Sequence, residues 1–410
     1  MNDFSFFADP VGYLVRWFPE FLSGLGLAPE ATKIIGIIVG ALILSVLPLM
    51  ITLGLIWLER KLIGRVQDRI GPNRLGPFGI FQTLADMLKI FIKEHITPTG
   101  VDKVAYNLAP VLAVGAVLMS WAIVPFSSTV VGVDFEVGLI YLIAIGAIGE
   151  LGILMAGWSS NNKYALISAF RTAGQLISYE VPLVLSFLVP VMLSGSLNMQ
   201  EIVRSQNVWF IVLSPVAAFV AFVSMIAENA RAPFDIAEAD SELVAGFNIE
   251  YSGLKFGMFY VGDFLHALTL ALIFSTLFLG GWRGPGAESV PILGFIYLLL
   301  KTSVIYFLGI LIRSSVPRFR IDQIMAINWK MLLPLSLFTL VMTSLVYKVL
   351  EPSGVIIQSL VLFIINVAVL IIFNQIVQRT LAQKSPPEVG SRTRPIARPE
   401  NTFTHSGTGA

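Results

Sequence analysis

The sequence predicts an all-α polytopic membrane protein of about nine transmembrane helices with one interfacial amphipathic helix. Three observations carry this. Of 410 residues, 56% are hydrophobic and 13% charged, and that charged share is about half of ordinary soluble usage. Mean hydropathy is +0.80. Charge-free runs recur along the chain at a length of about 20 residues, enough to cross a ~30 Å hydrocarbon core at about 1.5 Å per residue. Other classes are excluded. The net charge is +1 with no basic block, so nucleic acid is not a partner. There is no cysteine, hence no disulfide, Cys-ligated iron–sulfur cluster, thiolate zinc or cysteine nucleophile. The three histidines, His95, His266 and His405, are too few for a haem pair or His-rich site, and no metal is expected.

The spans follow in order. Residues 34–58 and 104–133 carry no charge. Residues 137–158 contain Glu150, 172–193 contain Glu180, and 205–227 are clean. Residues 256–282 hold Asp263 and His266, and 290–312 hold Lys301. Residues 331–347 are short but clean, and 352–378 long and clean. The opening segment 1–32 is not a signal peptide, because Asp3 and Asp9 stand where a basic region belongs. Within it, 11–27 reads as an interfacial helix. The expected organisation is thus an external or interfacial segment 1–32, a membrane domain 33–350, a ninth span 351–378 and a tail 379–410. The tail's residues 383–410, rich in Pro, Ser, Gly and Thr, read as disordered.

Charge orients the spans. Segments 59–103, 159–171, 228–255, 313–330 and 379–410 hold 21 of the 27 Lys and Arg, and the opposite connections hold five. By the positive-inside rule the N-terminus is expected outside, and the C-terminus and the loops 59–103, 228–255 and 313–330 cytoplasmic.

Four features carry chemistry. After the first span come Glu59-Arg60-Lys61, then Gly71-Pro72-Asn73-Arg74, then a predicted amphipathic helix over 79–94. There Phe81, Leu84, Leu88 and Phe91 share one face, and Gln82, Asp86, Lys89 and Lys93 another. Snorkelling basic anchors explain Lys61 and Arg65 but not a central Asp86. The second feature is the set of intramembrane carboxylates, costly and functional by default. Glu150 and Glu180 lie about 12–14 Å in from the cytoplasmic side. Asp263 lies in the same half, Glu228 closes the fifth span, and Lys301 is near the middle of its own. Acids converging from one side on a central lysine suit a proton or cation path, and polar glue between helices is the plainer explanation. The third is the acidic loop 228–255, in which Asp235, Glu238, Asp240, Glu242 and Glu250 interleave with Phe234, Ile236, Leu243 and Phe247. The fourth is the charged turn of Arg313, Arg318, Arg320, Asp322 and Gln323. There is no P-loop and no dinucleotide fingerprint.

These segments resemble the signatures of the H-subunit family of respiratory complex I, the NADH:quinone oxidoreductase, which has a mitochondrial counterpart. The resemblance rests on Glu59-Arg60-Lys61, Gly71-Pro72-Asn73-Arg74 and Gly79-Ile80-Phe81-Gln82-Thr83-Leu84-Ala85-Asp86. It rests equally on Ala227-Glu228-Asn229-Ala230-Arg231-Ala232-Pro233-Phe234-Asp235, running on to Glu250-Tyr251-Ser252-Gly253, and it takes in Gly157-Trp158, Ile177-Ser178-Tyr179-Glu180 and Pro317-Arg318-Phe319-Arg320-Ile321-Asp322-Gln323. It covers roughly residues 33–350.

The resemblance implies a membrane-arm subunit that forms much of a quinone tunnel and couples quinone reduction to proton translocation. It implies quinone (ubiquinone or menaquinone) as substrate and no metal, flavin or iron–sulfur group in this chain. The implied partners are peripheral-arm iron–sulfur subunits, other membrane-arm subunits and the lipid membrane, expected to be the bacterial inner membrane. Glu150, Glu180, Glu228, Glu238, Asp240, Asp263 and Lys301 are the expected proton-path residues. Arg60, Asp86, Arg231, Phe234, Asp235 and Glu242 are expected at the quinone tunnel or its loop. Asp240 and Asp263 stand where many members have Glu, one methylene shorter. The ninth span and the tail are extensions that many members lack. Two alternatives stand beside this reading: a same-family membrane subunit of a ferredoxin-dependent quinone reductase or energy-conserving hydrogenase, and a stand-alone proton or cation transporter.

Overall fold

The computed structural model describes residues 10–24, 28–237, 243–350 and 355–384. Among them there are helices and turns and no strand, with one isolated bridge between Pro125 and Val131. Seven helical segments are long and apolar enough to cross a membrane. Two shorter apolar stretches, Pro215–Glu228 and Ile357–Phe373, join them.

Helix α1 (Pro10–Gly24) falls in the stretch 11–27 expected to be helical, and its Trp17 and Phe21 rings stack at 5.2 Å. Helix α2 (Pro29–Val66) begins with Pro29, whose missing N–H costs nothing in a first turn. Its 38 residues make it roughly 57 Å long, well past the hydrocarbon, so Glu59, Arg60 and Lys61 ride on its protruding end. The amphipathic helix is shorter than 79–94. Phe78 and Gly79 have φ of 55° and 78°, which ends the turn Pro77–Gly79 and leaves α3 as Gln82–Ile92. Phe81, Leu84, Leu88 and Phe91 are exposed on this chain, as an interfacial helix requires.

Helix α4 (Lys103–Ser120) is capped by the Asp102 carboxylate on Val104 N–H and stops well before residue 133. Helices α5 (Gly138–Ser159) and α6 (Lys163–Ser194) form a tight hairpin. Asn162 caps α6, and Gly195 ends it in the left-handed region at φ 73°. The fifth span differs from the expected unbroken 205–227. It comes in pieces: α7 (Met199–Ser205), α8 (Phe210–Leu213) and α9 (Pro215–Glu228). The cause lies in the sequence, because Pro215 has no N–H for the carbonyl of Ile211 and its ring disfavours helical geometry at Ser214. Helices α10 (Gly253–Phe278), α11 (Pro291–Ser315), α12 (Ile321–Ile327), α13 (Leu333–Val349) and α14 (Val355–Lys384) follow among the described residues. Between α12 and α13 the backbone makes a π-helical turn, Asn328–Leu332.

Hydrogen bonds sort the connections into two sets. At one end Asp102 N–H bonds Ser159 O, Asn162 bonds Glu250, Ser168 bonds Ala237 O and Phe319 N–H bonds Pro233 O. At the other, Asn198 bonds Asp134, Gln200 bonds the carbonyls of Ser127 and Ser128, and Arg283 bonds Arg204 O and Asn207. The first set is the one rich in Lys and Arg, so spans and charge agree on which loops lie together. Glu238, Asp240, Glu242 and the tail beyond Lys384 lie outside the described residues.

Candidate functional site

At the basic end, α2, α4, α5, α6, α9, α10, α11 and the loop after α9 line a cavity of about 250 Å³. Its charged lining is Glu59, Arg60, Glu150, Glu228, Arg231, Asp235, Asp263, His266 and Arg313. Six of these were expected at the proton path or tunnel: Arg60, Glu150, Glu228, Arg231, Asp235 and Asp263.

Glu59 is the anchor. It is 2% exposed and accepts from Arg231 Nη1 at 2.9 Å, from Tyr306 OH at 3.2 Å and from Arg313. Burial works against the Arg231 charge, but Glu59, Tyr306 and Asp263 together outweigh it, and the guanidinium lies over the Phe264 ring at 4.6 Å. A buried carboxylate between two guanidiniums is tolerable only because each charge is met.

Beside it, His266 Nε2 is 3.8 Å from Glu228 Oε1. Glu228 Oε2 and Asn229 Oδ1 are buried on this wall with no hydrogen-bond partner among the described residues. Such oxygens call for a proton donor. Glu150, Glu180 and Glu228 are close enough to interact electrostatically. Glu180 is not on the cavity wall but one helical turn beyond Leu176, which is.

Arg60 connects the cavity to α3 through Asp86 Oδ2 at 2.6 Å. Burial pushes the Asp86 carboxyl up, but Arg60 and then Lys89 hold it below the ordinary carboxylate value. Trp57 and Lys61 pin the preceding turn by donating to Phe78 O, and Lys61 also reaches Pro72 O. Phe234 faces away from the cavity, buried between the Tyr179 and Phe319 rings. Asp235 pairs with Arg318 at 2.7 Å. Lys301 is elsewhere: its ammonium donates to Gly281 O at 2.9 Å and Arg283 O at 2.8 Å at the far end of the bundle, near the Trp209 ring. The acids therefore do not converge on it.

The sequence alone does not mark Glu59 and Arg313 as cavity groups, nor Tyr306 as a partner of Glu59. Glu59 ends a charge-free run, so it reads as a membrane exit, and its partners lie 172 and 254 residues away. Asp102, Asn162 and Tyr251 behave as structural groups. Burial raises the Tyr251 phenol to about 12, with the Ser159 hydroxyl opposing and Tyr106 adding to the rise, while its O–H donates to Tyr106 O. Pro110, four residues on, cannot serve that carbonyl.

The fold and the site define a multi-pass helical membrane protein built around a buried, charge-lined cavity. Comparison supplies the rest. The profile of the NADH dehydrogenase family matches residues 38–344, and the chain belongs to that family. It is 48% identical over 315 residues to the H subunit of the NADH-quinone oxidoreductase of Dehalococcoides mccartyi, covering 77% of this chain and 87% of that one. The H subunit of the Paramagnetospirillum magneticum enzyme is 43% identical over 328 residues, covering 79% and 96%. That of Brevibacillus brevis is 44% identical over 312 residues, covering 74% and 92%.

Proposed function

We propose that this chain is the H subunit of a proton-translocating NADH-quinone oxidoreductase in a bacterial inner membrane. In this reading it walls the quinone tunnel at its basic, cytoplasmic end and passes protons through its buried carboxylates. The observation that carries this is the cavity, where Glu228 and Asn229 present buried oxygens without partners among the described residues, beside Glu150, Asp263 and the Glu59–Arg231–Arg313 cluster. Reducing a quinone to a quinol takes two electrons and two protons. This chain has no cysteine to hold a cluster, so the electrons come from partner subunits and the chain's share is protons and position.

Arg60, Arg231 and Asp235 line the tunnel side, with Asp86 holding Arg60 from α3 and Phe234 wedging the loop. Glu228, Glu150, Asp263 and Glu180 lead inward, and interacting carboxylates in a water-poor site share protons readily. Glu238 and Asp240 belong to the proton path and Glu242 to the tunnel loop in this reading, all three outside the described residues. Lys301 braces the far end. The relatives' names favour a quinone enzyme over a hydrogenase. The test is purification through a C-terminal tag from native membranes, with subunit identification, quinone reductase assay and photolabelling by a quinone analogue. A flavin and iron–sulfur assembly labelled near Arg60 and Arg231 is expected. A stable lone protein, or label confined to other subunits, refutes the reading.

A further inference from the structure

Glu180 stands just before a proline in the interior of its own helix. Two residues on, Pro182 lies inside α6 and has no N–H to give to the carbonyl of Ser178, four residues back. That carbonyl is buried, where an unmet acceptor is costly. Its donor comes from 150 residues away: Asn328 Nδ2 reaches Ser178 O at 2.6 Å. The amide must face this way, because the reverse orientation would set oxygen against oxygen at that distance.

Asn328 is 1% exposed, and its Oδ1 has no hydrogen-bond partner among the described residues. A side chain that leaves one buried polar atom unmet is held there by what its other atom does. The backbone is adapted to the task too, since Asn328 opens the π-helical turn, and such turns re-aim side chains at functional sites. The residue between, Tyr179, is pinned to the same segment by its O–H on Ile324 O at 2.9 Å. Both neighbours preceding Glu180 are thus fastened to residues 324–328. That segment is continuous with Arg318 and Phe319, which hold Asp235 and Pro233 of the cavity loop.

We propose that Asn328 is a positioning residue for Glu180. By supplying the hydrogen bond that Pro182 withholds, it ties α6 at Ser178 to the 324–328 segment and so fixes where the Glu180 carboxylate stands relative to Glu150 and Glu228. This rests on the proposed proton-path role of Glu180.

The experiment compares wild type, Asn328→Leu, Glu180→Gln and the double variant as assembled enzyme in native membranes. Each is assayed for quinone-reductase rate per assembled complex and for proton pumping. Asn328→Leu is expected to lower the coupled rate on the order of tenfold, with quinone KM unchanged. The double variant is expected to fall no further than Glu180→Gln alone. Losses that multiply overturn the inference, and so does a wild-type rate in Asn328→Leu. Wild-type activity in Glu180→Gln instead refutes the proton-path reading on which it rests. Should Asn328→Leu fail to assemble, Pro182→Ala is added, which returns an N–H to Ser178 O without Asn328. That variant is expected to assemble and remain impaired, because the tie from Ser178 to the 324–328 segment is lost. A wild-type rate there means Asn328 only satisfies a carbonyl, and the positioning role falls.

Discussion

Replacing Glu59 with Gln keeps the size of the side chain and removes the charge that two arginines share. The amide can accept from one guanidinium, but its NH₂ then faces the other. The Arg231 side chain is 13% exposed and that of Glu59 3%. Removing one member of so buried a pair costs about 3–5 kcal/mol. Arg313, at 35% exposed, can turn to solvent, and its share is about 0–1 kcal/mol. The lower end of the range, about 3 kcal/mol, is roughly a 150-fold shift in the folded ratio. Arg231→Gln should cost as much, since it leaves Glu59 buried with only one of its two guanidiniums. The double variant should recover most of the loss, because no uncompensated charge remains and two amides can pair. The assay is the yield of assembled enzyme and its thermal inactivation midpoint in detergent for the wild type, both single variants and the double. A double variant that loses the sum of the single losses, within about 0.5 kcal/mol, would show that the two groups do not depend on each other.

Three further outcomes follow from the same geometry. Gly157→Ala would put a Cβ 2.2 Å from Ala169 Cβ and 2.8 Å from Ala165 O. The α5–α6 hairpin should lose about 1–3 kcal/mol, read as reduced assembly and partly restored by Ala169→Gly. Tyr251→Phe leaves Tyr106 O without a donor beside Pro110 and should cost about 1–3 kcal/mol; unchanged protease resistance of the loop 229–252 would refute this. The Asp86 carboxyl is held low by Arg60, so its contribution is present above the unfolded carboxylate value of about 4 and lost as pH falls through the lower folded one. Protease access to residues 67–102 should therefore stay flat from neutral pH down to about 5 and rise only in stronger acid, and a step near neutrality contradicts the assignment.

The helices were legible because hydrocarbon demands long charge-free runs, and the loops because Lys and Arg gather on one side of it. The break at Ser214 was legible in principle, as Pro215 marks a helix start, but an apolar run hides it when hydropathy alone is read. The cavity was half legible. Glu150, Glu228 and Asp263 stand out as charges inside spans, whereas Glu59 looks like an ordinary helix end until α11 and the α9 loop fold against it. Lys301 misled for a related reason: a four-carbon stem carries its ammonium well away from the level of its backbone. Asn328 shows the limit most plainly. Pro182 announces that Ser178 O needs a donor, and nothing local says which residue provides it.

The broken fifth span sets a problem of timing during synthesis. Helix α9 has 14 residues, about 21 Å of rise against a ~30 Å hydrocarbon core, so it leaves the backbone at Leu213 exposed to lipid depth. The Leu213 carbonyl receives Asn366 Nδ2 at 3.2 Å, from α14. The two are 153 residues apart, which at 5–20 residues per second is roughly eight to thirty seconds of translation. For that interval the nascent chain must keep an unfinished seam inside the bilayer, sheltered by the insertion machinery or by α6. The last helix is then less an appendage than the closing stitch, and a chain truncated before it would meet quality control with that seam still open.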